Sequence, residues 1–179
     1  MRKIACGLVW PDKGMPAYYC ILSEHTGDKT VTFDPLSPPI QILQEGKAET
    51  ISELRKTFKA LPKQYLKTIY TYAEPKYANY VRDFNRWKRD ENVDARLVNT
   101  KATSFEASIL KIKEIIKDNR LNFPFQSAIR QQLASFSIES LKDESHFYAV
   151  RALSLVIWAF DKRKPDTEAE VVPKLNSWW

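Results

Sequence analysis

Glycine is scarce in this sequence, with four residues in 179. A phosphate-cradling loop needs several glycines at set spacings, because only a backbone without Cβ lets successive amides close on the anion. Neither GxGxxG nor GxxxxGK[ST] occurs, which excludes the usual dinucleotide and P-loop sites and leaves no nucleotide partner to expect. Cysteine is scarcer still: Cys6 and Cys20 are the only two, each inside an apolar run and not in a CxxC. With two histidines in the chain, no familiar zinc spacing can be assembled. The cysteines read as buried thiols of a reducing compartment, and the chain as cytoplasmic. No apolar run approaches the roughly 18 residues of a membrane span. The opening MRKIACGLVW is too short in its apolar part for a signal peptide, so no membrane association is expected.

Aromatic residues, by contrast, are plentiful: nine Phe, eight Tyr and five Trp, within a hydrophobic fraction of 44%. They can fill the core of one domain of this length. The charge balance is 28 basic against 22 acidic residues, a net +6 that favours phosphate-bearing partners without singling one out.

Hydrophobic patterning gives the element order. Lys3–Val9, Ala17–Glu24 and Thr30–Phe33 read as three antiparallel strands, the last two joined by the Gly-containing turn HTGD. Asp34–Lys47 carries three prolines and no helical period, and reads as a connecting loop. Thr50-Ile51-Ser52-Glu53 is a capping box, followed by Ile51, Leu54, Phe58 and Leu61 on one face and Pro62 as a stop. A fourth strand spans Leu66–Tyr72, and a helix from Pro75 to Asp90 presents Tyr77, Val81, Phe84 and Trp87. Ala95–Asn99 is a fifth strand; a second capping box at Thr103–Glu106 opens a helix striped by Phe105, Ile109, Ile112 and Ile116. Two further helices are expected at Gln126–Ser135 and Ser145–Phe160, the last apolar nearly all round.

The expected fold is therefore α/β: a mixed five-stranded sheet, three antiparallel strands then two strands with helical crossovers, flanked by helices. This is the ribonuclease H-like order. Residues 1–161 make the domain, and 162–179 a polar C-terminal tail.

At the motif level the chain resembles the nuclease domain of the phage large terminase subunit. Such nucleases hold two Mg²⁺ or Mn²⁺ ions with carboxylates from separated elements; the ions polarise the phosphate and activate water. The first strand of the family tends to end G-x-D. Here the stretch is Gly7-Leu8-Val9-Trp10-Pro11-Asp12, which puts Val9 at the acid position and Asp12 three residues beyond. Glu74, in TYAEPKYANY, matches the acid after the fourth strand; its plainer reading is an acid favouring a helix N-terminus. Lys101 matches a lysine found after the fifth strand, or is a solvated residue. The family's DDxxxDAL stretch corresponds to Asp143-Glu144-Ser145-His146-Phe147-Tyr148-Ala149-Val150, so Tyr148 replaces the inner metal-binding Asp. Asp143 and Glu144 remain near the site, Asp143 alternatively as a helix cap, and His146 as a surface residue or a proton carrier.

The resemblance implies Glu74 and Asp143 as metal ligands, and Glu74, Asp143, Glu144 and Asp12 as the catalytic set if the site is active. Mg²⁺ or Mn²⁺ would then be the cofactor. Arg82, Arg86 and Arg89 share one helix face, interrupted by Asp83 and Asp90, and form with Lys101 a candidate DNA-contacting set, or a solvated surface. Trp178 and Trp179 are costly to expose; they dock on the domain or anchor a protein partner. Three functions follow: a DNA-binding domain with weak or no cleavage, an active two-metal endonuclease, or a protein-interaction module on a nuclease-derived scaffold.

Overall fold

A computed structural model of the chain describes residues 2–12, 14–25, 39–61, 70–74, 78–91, 96–99, 104–137, 139–140 and 147–162. Strand β1 (Arg2–Val9) pairs antiparallel with β2 (Ala17–His25), from Arg2 opposite His25 to Val9 opposite Tyr18. In the turn between them Asp12 and Met15 exchange backbone hydrogen bonds of 2.8 and 3.1 Å. Gly14 there has φ +76°, a conformation that side chains with a Cβ rarely adopt.

The third antiparallel strand corrects the sequence reading. It is β3 (Ile40–Ala48), inside the stretch expected to be a loop, while Thr30–Phe33 and most of the HTGD turn lie outside the described residues. Its alternation is concealed by a bulge. Leu22 pairs with Ile42 but Ile21 with Gln44, so Leu43 is the additional residue. Ile42 packs on one side of the sheet and Leu43 on the other. The period of two restarts out of phase, which turns Glu45 and Lys47 toward the side of Tyr18, and Ala48 toward the opposite core. A reading that looks for unbroken alternation passes over such a strand.

Helix α1 (Ile51–Ala60) begins as expected: Thr50 Oγ1 accepts from the Glu53 amide at 3.2 Å, while the Glu53 carboxylate accepts from the Glu49 amide at 2.8 Å. Leu54, Phe58 and Leu61 are buried. Strand β4 (Tyr70–Ala73) lies parallel to β1, and β5 (Arg96–Asn99) parallel to β4, with α2 (Ala78–Asp90) as the crossover. Helix α3 (Ser104–Lys117) leads to a short sixth strand, β6 (Leu121–Asn122), which joins the far edge beside β3. Then come α4 (Ala128–Ser135) and α5 (Tyr148–Lys162). The sheet order is β5-β4-β1-β2-β3-β6. The sheet has the expected mixed arrangement of an antiparallel trio joined by two parallel strands, with β3 in the stretch expected to be a loop and β6 in addition.

Two apolar cores sandwich the sheet. Helices α1 and α2 cover one face through Leu54, Phe58, Val81 and Phe84; α3, α4 and α5 cover the other. The buried stripe of α3 is Ile109, Ile112 and Ile115, whereas Ile116, expected inside, sits at the rim. The stripe is rotated because α3 packs on α5 and β6 rather than squarely on the sheet. Helix α5 crosses the centre of the sheet so closely that a Cβ on Gly7 would overlap the Ala152 carbonyl. The glycine of Gly7-Leu8-Val9 thus has a packing reason. Cys6 and Cys20 are free, buried, and belong to opposite cores. Burial pushes the Cys6 thiol up to about 12, and Cys20 also well above its usual value. No helix among the described residues is long and apolar enough to cross a membrane.

Candidate functional site

Leu8 of β1 is the register partner of Ala73 of β4, so Val9 and Glu74 follow as neighbours at the ends of two parallel strands. Leu8 and Ala73 belong to the α1/α2 core, and Val9 and Tyr72 to the α5 core. Alternation then turns Glu74 toward α5. There it forms a buried ion pair with Arg151, one turn into that helix. Tyr148, the first residue of α5, stands three residues before Arg151 and hence on the same face. Its ring lies 5.5 Å from that of Tyr18, the register partner of Val9. Strand β1, strand β4 and the first turn of α5 therefore meet on one face of the sheet, which carries Val9, Glu74, Tyr148 and Arg151.

Two polar contacts fix how α5 enters this place. The Gln132 side-chain oxygen, on α4, accepts from the Ala149 and Val150 amides at 2.8 and 3.3 Å. This caps the helix start, the role expected of Asp143, which precedes the first helical residue by five and lies outside the described residues. In turn the Glu45 carboxylate, on β3, accepts from the Ala128 amide at 3.2 Å, from Ser127 Oγ at 3.0 Å and from the Tyr18 hydroxyl at 2.5 Å. Burial raises the Tyr18 phenol far above its normal range, with charge on Cys20 and the bond to Glu45 acting in the same direction. The Lys47 ammonium lies 5.2 Å from the centre of the Tyr148 ring.

Of the expected site residues, Glu74 directly follows β4 and is paired with Arg151. Asp12 is exposed in the β1–β2 turn, past the strand end, rather than buried beneath α5 with Glu74. Asp143, Glu144, His146, Lys101, Trp178 and Trp179 lie outside the described residues, as does the tail from residue 163 onward; Lys162 is the last residue of α5. Arg82, Arg86 and Arg89 are exposed along the outer face of α2, away from Val81 and Phe84. Trp87, between them in sequence, turns inward: its ring is 4.8 Å from that of Phe84, and the Arg55 guanidinium sits 5.6 Å over it. Arg151 was not expected in the site. The signal was available, since it is the single charged residue in YAVRALSLVIWAF, and such a charge in a buried helix demands a partner.

Mg²⁺ takes several hard oxygen ligands and keeps part of its water shell. No cluster of three or more His, Cys, Asp or Glu side chains suited to a metal ion occurs among the described residues. Glu74 has the Arg151 guanidinium as its counter-ion, and Val9 beside it is fully buried.

A mixed sheet of this order, with α5 laid across β1, is a ribonuclease H-like fold. Solved structures place it further. The nuclease domain of the large terminase of bacteriophage SPP1, with bound Mn, superposes with a TM-score of 0.59 at 13% identity, covering 89% of this chain and 85% of that one. The large terminase nuclease of thermophilic phage G20c, with bound zinc, gives 0.57 at 17% identity over 91% and 82%. A looser likeness, TM-score 0.44 at 14% identity, is to the yeast mitochondrial Holliday junction resolvase, over 86% and 78% of the two chains. No protein-family model and no curated protein sequence matches the chain. The fold is thus that of the terminase nuclease domains.

Proposed function

We propose that this chain is a terminase-nuclease-like domain that binds DNA and cleaves it weakly or not at all. One observation carries the reading. The three elements that hold metal-binding acids in the family converge, and they present Val9, an ion-paired Glu74 and Tyr148. A buried valine and a phenol packed against the Tyr18 ring offer no hard anionic oxygen to Mg²⁺. A two-metal cleavage mechanism has nothing to rest on at those two positions.

DNA is the partner that best suits the net charge of +6 and the outer face of α2. Arg82, Arg86 and Arg89 span about 10 Å along that helix at 1.5 Å per residue, comparable to three steps along one strand of duplex at about 3.4 Å each. Arg82 also approaches its neighbours, with NH2 3.3 Å from Asn79 Oδ1 and Nε 3.8 Å from Asp83 Oδ1, but these are exposed contacts that DNA phosphates can displace.

The deciding experiment is plasmid cleavage with Mg²⁺ or Mn²⁺ beside a duplex-binding titration at two salt concentrations. Binding without cutting is the expected result. Replacing the three arginines by alanine should flatten the dependence of log affinity on log salt by about 2–3, near 0.9 for each phosphate that is no longer neutralised. Metal-dependent cutting abolished by Glu74→Ala would overturn the reading in favour of an active endonuclease. Neither binding nor cutting would leave an interaction module, with Trp178 and Trp179 as its anchor.

A further inference from the structure

The ion pair beneath α5 joins residues 77 positions apart and is buried on both sides. A buried carboxylate needs a counter-charge, because neither solvent nor apolar neighbours can hold it. In two-metal nucleases that counter-charge is the pair of divalent ions. Here it is part of the chain. Arg151 is the single charged residue between Tyr148 and Phe160, and sits on the helix face that meets the ends of β1 and β4. A guanidinium suits this position because it is permanently charged, planar and fork-shaped, so it matches a carboxylate and cannot escape by losing its proton. Val9 at the end of β1 and Ala149, Val150 and Ala152 in the first turns of α5 are fully buried. The first turn of α5 is also held in position by Gln132 through the Ala149 and Val150 amides.

We propose that Arg151 is a built-in cation that takes, against Glu74, the charge-balancing place of the metal ions, so that the centre is complete without a divalent ion. This rests on the reading above only in treating the place as the counterpart of a metal centre. It has a consequence that loss of two carboxylates alone does not. Restoring acids at positions 9 and 148 does not create a metal site while Arg151 is present, because the guanidinium still occupies Glu74.

Two sets of melts on the full chain, each with Mn²⁺ and with EDTA, test this. In the first, Arg151→Met and Glu74→Met should each lower the melting temperature by about 10 °C, the consequence of stranding a buried charge. The double variant should lose much less than the two losses added together, and Mn²⁺ should leave the wild type unchanged. In the second, Mn²⁺ should raise the melting temperature of Val9→Asp/Tyr148→Asp/Arg151→Ala but not of Val9→Asp/Tyr148→Asp. Additive losses at 74 and 151 would overturn the proposal, and so would a Mn²⁺-induced rise in the wild type that Glu74→Met removes. If the second set fails to fold, the first decides alone. Failure to bind DNA would end the proposed function and leave the 74–151 coupling intact, so the two ideas fail separately.

Discussion

The sheet is covered very differently on its two faces. Beneath α5 the polar groups are buried or half-buried and serve one another: Arg151 with Glu74, Gln132 with the start of α5, and Glu45 with Tyr18, Ser127 and the start of α4. On the α1/α2 face the core is mainly apolar; Arg82, Arg86 and Arg89 point outward, Lys59 pairs with Glu91 at the surface at 2.5 Å, and the half-buried Arg55 lies over Trp87. The difference is that polar side chains tie secondary-structure elements to one another beneath α5, whereas on α2 Arg82, Arg86 and Arg89 are exposed.

Four measurements can break or sharpen that contrast. The largest effect is expected from Gly7→Ala, where the added methyl meets the α5 backbone rather than a flexible side chain. Neither the central strand nor the helix can give way cheaply, so urea unfolding should show a loss of about 3 kcal/mol. A loss near zero would mean that α5 does not lie tightly on β1.

Next comes alkaline pH. Cys6 keeps its proton in the folded state up to about 12, against 9.0 for an unperturbed thiol. Between those values the unfolded chain binds fewer protons than the folded one, so stability falls as pH rises through that window. At pH 10 the loss attributable to Cys6 is on the order of 1 kcal/mol. Cys20 and Tyr18 act in the same direction. Denaturant melts from pH 7 to 10.5 should show this decline, and Cys6→Ala should make it shallower; an unchanged slope would mean that the thiol is not buried as described.

Gln132→Ala removes the acceptor for two helix-start amides and should cost about 1 kcal/mol, while Gln132→Glu, which keeps the acceptor, should cost less. Equal losses in both would assign the effect to packing rather than to capping. The smallest change in stability belongs to Arg82→Ala/Arg86→Ala/Arg89→Ala, within about 0.5 kcal/mol at each position, because exposed charges contribute little to folding. Its effect should appear in the salt dependence of DNA binding. A large loss of stability with unaltered binding would reverse the roles assigned to the two faces.

Much of the fold was legible because it is written in local periods. The capping box at Thr50, the apolar spacing of Leu54 and Phe58, and the apolar circumference of α5 each declare an element from a few adjacent residues. Strand β3 was not legible, since the bulge at Leu43 shifts its alternation halfway and prolines precede it. For the site, the places of Val9 at the end of β1, Glu74 after β4 and Tyr148 on the last helix were legible from the order of elements. Arg151 was not, because a metal-centre pattern is defined by its acids and says nothing of a lone charge that balances one.

The sequence by itself determined most of the helices, strands β1, β2, β4 and β5, the two apolar faces each strand must satisfy, and which residue types stand at positions 9 and 148. Only the tertiary structure decided which polar groups meet: Glu74 with Arg151, Gln132 with Ala149 and Val150, Glu45 with Tyr18 and Ser127. Hydrophobic burial repeats along the chain with the period of each element and so leaves a local trace. A buried polar pair joins distant residues once, and becomes visible when strand register and helix placement bring its two halves together.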